Sequence, residues 1–326
     1  MKYYIKIVGR FNIRNAGFKA PSDVEKILEK NGYTPICVVE PFKNKRFISK
    51  LIAMFQYLFI FFKIDKKDVI FLQYPNYLHK VDLLYTILFK KQARLQILIH
   101  DLDSLRVPDY TESVELLQKA DVVIAHTPKM KDILQEKFGL QNDIKILNLF
   151  DYLLECDYKT TSTLKESLIY AGNLTGNEFL KKIKTKTYVY GKKQDWLNQN
   201  NNLQYQGEFD PNNLPDLKGD WGLLWYGESI NHFDDTLCYR YFTFNASHKT
   251  SLYLAAGKPI LTWSKTAMGE FINKEKLGIT VDSLSDIEEA LLALTDSDKE
   301  TILHNVKVYG EKIRKGEMLT SILKVI

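Results

Sequence analysis

Hydrophobic and polar positions in the first half of the chain alternate between short apolar runs and longer segments with helical spacing. The apolar runs are rich in Val and Ile, which is typical of buried strands, and they occupy residues 3–8, 34–40, 68–74, 94–102 and 121–127. Helices are predicted between them, at 21–32, 48–63, 80–90 and 112–119. Because strands separated by helices form parallel sheets covered on both faces, this half is predicted to be an α/β domain.

The second half of the chain restarts the same pattern. Its predicted strands occupy residues 167–173, 187–191, 203–209, 221–227, 258–263 and 279–283. Two helices with recognisable starts are predicted along the chain: Ser22 is placed to cap the helix at 21–32, with Glu25 completing a capping box, and Ser285 to cap the helix at 285–294. A further helix is predicted at 249–257.

This repeated rhythm predicts two Rossmann-like α/β domains that face each other across a cleft. The first is expected to cover residues 1–155 and the second 160–305, followed by a helical segment at 306–326 that is interrupted near Gly316. The segment 152–167 between the halves is polar and lacks strand character near its centre, which is typical of a hinge. Open parallel sheets bind ligands at the carboxyl ends of their strands, so the ligand is expected in the cleft.

The longest apolar run is 51–62, interrupted only by Gln56. A bilayer-spanning helix needs about 20 apolar residues, so this run is too short to cross a membrane. Basic residues flank it: Lys43, Lys45, Arg46 and Lys50 before it, and Lys63, Lys66 and Lys67 after it. One interpretation is a surface helix that rests on an anionic membrane through 43–67. The other is a buried helix with solvated basic ends, which we favour because the run lacks a clean polar face.

Composition narrows the classes of protein. The 326 residues include 45 Lys+Arg and 40 Asp+Glu, a formal net charge of +5, with 45% hydrophobic residues, which argues against disorder or a fibrous repeat. The lysines are spread along the chain rather than gathered with aromatic residues, so no nucleic-acid partner is expected. Three distant cysteines without CxxC spacing predict neither disulfides nor a zinc site. With no secretory signal expected at the N-terminus, a cytoplasmic location is the simplest.

The stretch NASHKTSLYLAAG at 245–257 is the most informative for function. A helix that begins near Lys249 presents unpaired backbone N–H groups and the positive end of its dipole, which suit an anion such as a diphosphate. Lys249, Thr250 and Ser251 would add a cation and hydroxyl donors at that end. An ordinary helix start with Ser247 as its cap and a solvated lysine gives the same pattern.

Other candidate residues lie at the ends of predicted strands. Gly172 and Asn173 end the strand at 167–173, where a βα turn can approach a nucleotide phosphate, and Tyr226 ends the strand at 221–227, where its ring could stack on a base or sugar. Gly17 lies in the corresponding turn of the first half, in a stretch at 9–19 that suits a loop closing on substrate. Generic turns and core aromatic residues would leave similar patterns.

Two carboxylates, Asp101 and Asp103, follow His100 at the end of the strand at 94–102. Either could act as a general base that takes a proton from an attacking hydroxyl. The pair has the outline of a metal-binding DxD, and capping of the next segment accounts for it equally well. No Walker A, HExxH or GxSxG pattern occurs, so the P-loop NTPase, zincin and α/β-hydrolase classes have no support.

Five segments in order resemble one group of enzymes: NAGFKAPSDVEKIL (15–28), IHDLDSLR (99–106), ADVVIAHTPKM (120–130), GDWGLLWYG (219–227) and SHKTSLYLAAGKPIL (247–261). The sequence resembles bacterial galactofuranosyltransferases of O-antigen and capsule polysaccharide biosynthesis. It is also similar to the Gtf-three-type glucosyltransferases that extend glycans on serine-rich adhesins. Both are GT-B glycosyltransferases, and the resemblance extends over nearly the whole chain.

The resemblance implies a UDP-sugar donor held by the C-terminal domain and an acceptor hydroxyl presented by the N-terminal one. Lys249 would neutralise the departing UDP diphosphate, assisted by Thr250 and Ser251, without a metal or other cofactor. Asp101 would be the general base, with Asp103 as substitute. The nucleotide-binding turns of the family fall at Gly172, Asn173 and Tyr226.

The resemblance also has a departure and a topological consequence. Retaining GT-B enzymes have a glutamate where this chain has Leu252, so ribose recognition through that position is not expected. The last helix, within 306–326, would cross back to the first domain, as in other GT-B enzymes.

The favoured activity is inverting transfer of a hexosyl group to a sugar hydroxyl of a cell-surface glycan precursor, with UDP-galactofuranose ahead of UDP-glucose as donor. A polyprenyl-diphosphate-linked acceptor would give the 43–67 segment a role at the inner face of the plasma membrane. A glycoprotein adhesin as acceptor would leave that segment to pack within the domain or at a homo-oligomer interface. The alternative class is a nucleotide-sugar enzyme that transfers nothing, such as a GT-B-type epimerase.

Overall fold

The computed structural model describes residues 1–8, 16–39, 46–76, 78, 80–107, 109–110, 114–155, 163–233 and 236–326. Two six-stranded sheets organise these residues, and every strand pair in both sheets is parallel. The predicted α/β class with two Rossmann-like halves is confirmed. We refer to the residues packed on the first and second sheets as the first and second lobes.

The first sheet has the strand order β2-β1-β3-β4-β5-β6. Its strands are β1 (Lys2–Val8), β2 (Thr34–Val39), β3 (Val69–Tyr74), β4 (Arg94–Ile99), β5 (Val122–Ala125) and β6 (Asp143–Ile146). The order reverses between β1 and β3, which places a ligand crevice at the carboxyl ends of these two strands. Strand β6 was not predicted, because its four residues, DIKI, give neither an apolar run nor a long alternation.

The helices of the first lobe are α1 (Ala16–Lys30), α2 (Arg46–Lys63), α3 (Val81–Lys91), α4 (Glu115–Lys119) and α5 (Pro128–Glu136). Helix α1 begins earlier than predicted, so Ser22 lies inside it and does not cap it. The Ser22–Glu25 pattern is only a local signal, whereas burial of Ala20 and Val24 on one face continues the helix towards its N-terminus. Glu25 instead forms an ion pair with Lys6 at 3.3 Å.

The second sheet has the order β12-β11-β10-β7-β8-β9. Its strands are β7 (Leu168–Ala171), β8 (Thr187–Tyr190), β9 (Leu203–Gly207), β10 (Trp221–Leu224), β11 (Ile260–Trp263) and β12 (Gly278–Val281). Counted along this half of the chain, the order is that of a dinucleotide-binding sheet, with its reversal between β7 and β10. A ligand crevice is therefore expected above the carboxyl ends of β7 and β10.

The helices of the second half are α6 (Leu237–Tyr241), α7 (His248–Ala255), α8 (Ala267–Glu275), α9 (Ile287–Leu292), α10 (Asp296–Lys315) and α11 (Glu317–Leu323). Ser285 is not the cap near 285. Ser283 is: its hydroxyl accepts from Ser285 N–H at 3.1 Å, while Asp286 accepts from Ser283 N–H at 3.1 Å. This capping box starts a 3-10 turn that leads into α9, so the helix itself begins two residues later than its cap pattern suggested.

The C-terminal helices divide between the two lobes. The boundary expected at 306 falls inside α10, whose Val306 and Ile313 are buried in the second core. The chain turns at Gly316, which has a φ of 82°, and α11 then packs Leu319 and Leu323 with Ile27 of α1. The segment that reaches the first lobe thus begins after Gly316, because α10 is long enough to complete the second lobe first.

Helix α2 contradicts the buried interpretation that we favoured from the sequence. One face, including Tyr57 and Ile60, is fully buried against the first sheet. On the opposite face Phe55 is 72%, Phe59 62% and Phe62 74% exposed. We favoured burial because the run lacks a polar face, but the face that α2 exposes to solvent is itself apolar. No helix within the described ranges is long and apolar enough to cross a membrane.

Candidate functional site

The carboxyl edges of the two sheets face each other, and the segment before α7 contacts the first lobe. His126, which directly follows β5, accepts a hydrogen bond on Nδ1 from the Ala246 backbone N–H at 3.3 Å. The Leu102 N–H, after β4, donates to the Tyr241 hydroxyl at 3.2 Å. Tyr241 is packed in the core of the first lobe although it belongs to the second half of the chain. These contacts place the start of α7 at the junction of the lobes.

The start of α7 is capped by Ser247. Its hydroxyl accepts from the Lys249 backbone N–H at 3.3 Å and also from the Tyr226 hydroxyl at 2.7 Å. The Thr250 N–H donates to the Ser247 carbonyl at 2.9 Å. Tyr226, at the end of β10, thereby fixes the cap of α7 to the crevice of the second sheet.

The Lys249 side chain lies over this crevice in a cradle of aromatic rings. Its Nζ donates to the Tyr170 hydroxyl at 2.8 Å and lies 4.1 Å from the centre of the Tyr170 ring and 4.8 Å from that of Tyr226. No carboxylate of the described residues pairs with it, and burial lowers its pKa to about 7. A half-buried cation without a counter-charge among the described residues favours the binding of an anion.

Gly172 follows β7 and has a φ of 137°, a backbone conformation that residues with a side chain rarely adopt. A Cβ atom at this position would lie 2.7 Å from Cε of Lys249, so the glycine leaves the room that the lysine occupies. Asn173 is exposed beside it, and its Oδ1 accepts from the Thr175 N–H at 3.1 Å. Three predicted site residues, Gly172, Tyr226 and Lys249, therefore meet where the strand order reverses between β7 and β10.

Tyr226 has a different role from the one predicted. Its ring is stacked on Phe242, with centroids 3.7 Å apart and planes 4° from parallel. With Lys249 near the same ring and only 6% of the residue exposed, Tyr226 has no open face for a base or sugar. It positions Ser247 and Lys249 instead.

A small pocket lies beside Tyr226, lined also by Phe233, Asn245, Thr262 and Met268. Asn245 is 7% exposed, and its Oδ1 has no hydrogen-bond partner among the described residues. The same holds, within those ranges, for the buried Oγ of Ser251 and Nε2 of His248. An unsatisfied buried polar atom costs about 1–3 kcal/mol, so the Asn245 oxygen, whose residue lines the pocket, favours a ligand that donates a hydrogen bond to it.

Thr250 and Ser251 do not present their hydroxyls to the cleft. Both residues are fully buried, and Thr250 Oγ1 lies 4.0 Å from the sulfur of Met268, towards α8. The helical spacing that brings Lys249 to the crevice turns the next residue into the core. The predicted assistance of these two hydroxyls to a bound diphosphate is thus not available in this conformation.

Asp101 and Asp103 both pair with Arg106. Asp103 is 5% exposed and contacts Arg106 Nε at 2.8 Å, whereas the half-exposed Asp101 contacts Nη1 at 3.2 Å. The two carboxylates raise the pKa of Arg106. Asp101 also hydrogen-bonds to the Tyr241 hydroxyl, which belongs to the second half of the chain. Of the two, Asp101 is therefore the one at the lobe junction, and Asp103 anchors the turn.

A cluster of histidines lies at the junction; the strand-end argument included His100 but missed His126. Phe150 stacks on His100 at 5.3 Å and also contacts His126 at 4.9 Å and His248 at 6.0 Å. Burial lowers the pKa of His126 to about 4, and its Nε2 bonds to the Ile99 carbonyl at 2.8 Å. The ring is therefore neutral, with Nε2 as donor and Nδ1 as acceptor. Its place directly after β5 was the available signal.

Gly17 is the exposed second residue of α1, and the rest of the predicted loop, 9–15, lies outside the described residues. Lys19, assigned to the same loop, is instead buried in α1. Its Nζ contacts Asp23 at 2.7 Å and the Leu153 carbonyl at 2.6 Å. Lys19 thus fixes α1 to the segment between the lobes.

The lowered pKa of Lys249 predicts how anion binding depends on pH. With a pKa of about 7, the free protein loses this positive charge as the pH rises above that value. We expect the affinity for UDP to fall by up to about tenfold per pH unit between about pH 7.5 and 9, with uptake of a proton on binding. Calorimetric titration in two buffers of different ionisation enthalpy measures both quantities. Lys249→Met is the control and should lose the dependence; a constant wild-type affinity would contradict the prediction.

The sequence model of the glucosyltransferase 3-like C-terminal domain matches residues 168–326, and that of the N-terminal domain matches 2–154. The chain is 30% identical to the β-1,6-galactofuranosyltransferase WbbI of Escherichia coli K12, over 97% of this chain and 96% of the relative. It is 27% identical to glucosyltransferase 3 of Streptococcus gordonii, over 71% and 70%. A glycosyltransferase structure from Rickettsia africae superimposes with a TM-score of 0.61 at 14% identity, over 99% and 97%.

Proposed function

The chain belongs to the glucosyltransferase 3-like family of glycosyltransferases and has the GT-B fold, and from this premise we propose that it transfers galactofuranose from UDP-galactofuranose to a sugar hydroxyl. The observation that carries the proposal is Lys249, a cation without an acidic partner among the described residues. It lies where the second sheet reverses its strand order, the position at which such sheets bind nucleotides.

In this proposal Lys249 stabilises the leaving group. As the bond between the sugar and the β-phosphate breaks, negative charge accumulates on the diphosphate. An ammonium group preorganised by the Tyr170 and Tyr226 rings stabilises this charge more in the transition state than in the ground state. The dipole of α7 acts in the same direction. Because these groups supply the positive charge, the proposed reaction is metal-independent.

Asp101 is proposed as the general base. It lies at the carboxyl end of β4, beside the lobe junction, and its carboxylate is half-exposed. Arg106 and Tyr241 hold it in one orientation, and it would take the proton of the attacking hydroxyl. Asp103 is a poorer candidate because its side chain is only 7% exposed, against 33% for Asp101.

We propose a β linkage in the product, and inversion at the sugar follows from it. The name of the E. coli relative specifies a β-1,6 bond. A UDP-hexose carries its sugar in α linkage, so forming a β bond in one displacement inverts the anomeric carbon. A base on the acceptor side and a leaving-group cation on the other side are the two groups that such a displacement requires.

A second candidate is transfer of glucose from UDP-glucose to a glycoprotein. It is favoured by the family description and by the streptococcal relatives, which are named glucosyltransferase 3. Galactofuranose is placed first because the galactofuranosyltransferase matches at higher identity and over more of the chain. For transfer of galactofuranose, the proposed acceptor is a cell-surface glycan precursor on a polyprenyl diphosphate.

Incubation with each donor tests the proposal. We expect UDP release to be faster from UDP-galactofuranose than from UDP-glucose or UDP-galactopyranose, and to persist in the presence of a chelator. Asp101→Asn should lower this turnover by about 10²-fold, as expected for loss of a general base, and leave the affinity for UDP unchanged. Asp132→Asn, on an exposed part of α5 away from the lobe junction, is the control.

Preferred release of UDP from UDP-glucose would move the assignment to the second candidate. Turnover undiminished in Asp101→Asn would remove the base assignment. No binding of UDP to the intact protein would overturn the whole proposal.

A further inference from the structure

Helix α2 carries an apolar surface that no other described part of the chain covers. Seven large side chains on it are between 41% and 74% exposed: Ile48, Leu51, Met54, Phe55, Leu58, Phe59 and Phe62. They recur at intervals of three and four residues, so they form one continuous stripe along the helix. Isolated exposed apolar residues are ordinary, whereas a continuous stripe on one helix marks an interaction surface.

Basic side chains border this stripe on both sides. At 100° per residue, Lys50 and Lys63 lie roughly 110° to either side of the centre of the stripe. Lys63 Nζ lies 5.8 Å from the ring of Phe59, which confirms that it adjoins the stripe. Lys66 and Lys67, directly after the helix, are exposed as well. Helix α2 itself contains no acidic residue.

This charge pattern distinguishes between occupants. If the stripe of a second copy packed on this one, parallel or antiparallel, the lysines at the edges would face other lysines, and α2 would offer no carboxylate to compensate them. An anionic lipid surface has the opposite charge and a flat apolar interior. An amphipathic helix of this kind lies in the plane of the membrane, with its aromatic side chains at the acyl boundary and its lysines at the headgroups.

We propose that the exposed face of α2 docks the protein on the surface of a membrane that contains anionic lipids. The three exposed phenylalanines enter the acyl boundary, and Lys50, Lys63, Lys66 and Lys67 contact the headgroups. The surface lies on the first lobe, to which the family resemblance assigns the acceptor. Docking does not depend on the identity of the donor sugar, so its test is independent of that assignment.

Sedimentation with vesicles tests the docking surface. Purified full-length protein is mixed with vesicles of phosphatidylcholine alone or with 30% phosphatidylglycerol, a probe composition chosen to vary only charge. We expect binding to the mixed vesicles and at least tenfold weaker binding to pure phosphatidylcholine, with binding weakened by salt. The triple variant Phe55→Ser, Phe59→Ser, Phe62→Ser should bind the mixed vesicles at least tenfold more weakly.

Matched variants make the result specific. Leu292→Ser with Val325→Ser removes two exposed apolar side chains elsewhere, 68% and 70% exposed, and should bind as the wild type does. Lys50→Glu with Lys66→Glu tests the charge requirement. The phenylalanine variant should keep the far-ultraviolet circular dichroism spectrum of the wild type, because the three replaced side chains are exposed. For the same reason it should release UDP from a soluble donor at the wild-type rate.

Three outcomes would overturn the proposal. They are equal binding of the wild type to both vesicle types, equal loss in the Leu292 and Val325 control, and absence of binding to the mixed vesicles. A wild-type dimer in light scattering that the phenylalanine variant converts to a monomer, without vesicle binding, would assign the face to a second copy instead.

Discussion

Replacing Lys249 with alanine is expected to lower the rate of sugar transfer by about 10²–10³-fold. The reason is the loss of the cation over the crevice, since removal of a single preorganised group that stabilises developing charge costs this much in turnover. No other lysine or arginine in the described ranges lies over the Tyr170 and Tyr226 rings to replace it. Steady-state kinetics with the preferred donor and calorimetric titration with UDP measure the effect.

The controls separate charge from shape. Lys249→Met retains a long apolar side chain in the aromatic cradle and should lose as much activity as alanine. Lys265→Ala removes an exposed lysine that follows β11 in the same lobe and should keep full activity. Activity of Lys249→Met within threefold of the wild type would contradict the role of the ammonium.

The Lys249→Met substitution should also make the unliganded protein more stable. Burial lowers the Lys249 pKa from 10.5 to about 7, so holding the protonated form in the folded state costs free energy. This cost is complete below about pH 7 and disappears as the pH rises towards the pKa of the unfolded chain. Lys249→Met should therefore raise Tm at pH 6 and change it less at pH 9. A gain in protein stability when a functional residue is replaced is typical of a binding site.

Replacing Lys19 with methionine is expected to lower the free energy of unfolding by about 3–5 kcal/mol. Lys19 and Asp23 form an ion pair at 2.7 Å in which each side chain is 1% exposed. Burial lowers the pKa of Lys19 and raises that of Asp23, so each charge depends on its partner. Removing the lysine leaves a buried carboxylate without a counter-charge, which is the costly case. Urea unfolding followed by circular dichroism measures it.

A pair with the same spacing supplies the control. Lys119 and Glu115, also four residues apart on one helix, contact at 2.5 Å, but their side chains are 51% and 64% exposed. Lys119→Met should cost about 0.5 kcal/mol or less, because solvent screens an exposed pair. Equal effects of the two substitutions would show that burial of the Lys19 pair adds nothing to stability.

The loss should also affect the junction between the lobes. Lys19 donates to the Leu153 carbonyl at 2.6 Å, and Asp23 accepts from the Leu153 N–H at 2.9 Å. Both backbone groups of Leu153, in the segment between the lobes, thus depend on the pair. Faster amide exchange at residues 151–155 in Lys19→Met than in Lys119→Met would confirm this connection.

Much of the fold was predictable because it rests on local signals. Runs of Val and Ile such as 68–74 and 94–102 became β3 and β4, since a strand buried on both faces needs an apolar residue at nearly every position. The family resemblance was predicted from five segments of sequence, and the comparisons with known proteins confirmed it. Strand β6 escaped prediction because its position beside β5 makes it a strand, whereas its own four residues do not.

The candidate site was predicted in part. Gly172 and Lys249 were found because strand ends and helix starts are visible in the sequence. Their contact was not, since it depends on the crossing of chain segments about eighty residues apart. Thr250, by contrast, was assigned to the cleft but is buried. Neighbouring residues on a helix point about 100° apart, so Thr250 cannot face the crevice on the same side as Lys249.

The sequence by itself determined the strands, the helix start near Lys249 and the apolar, basic-edged character of α2, because each follows from the residue types of one short segment. Tertiary structure alone decided that Lys249 lies over Tyr170 with no acidic partner among the described residues, that His126 contacts Ala246 across the lobes, and that one face of α2 is exposed. Counter-charge, burial and the facing of two lobes are relations between distant segments, and no local pattern of residues specifies them.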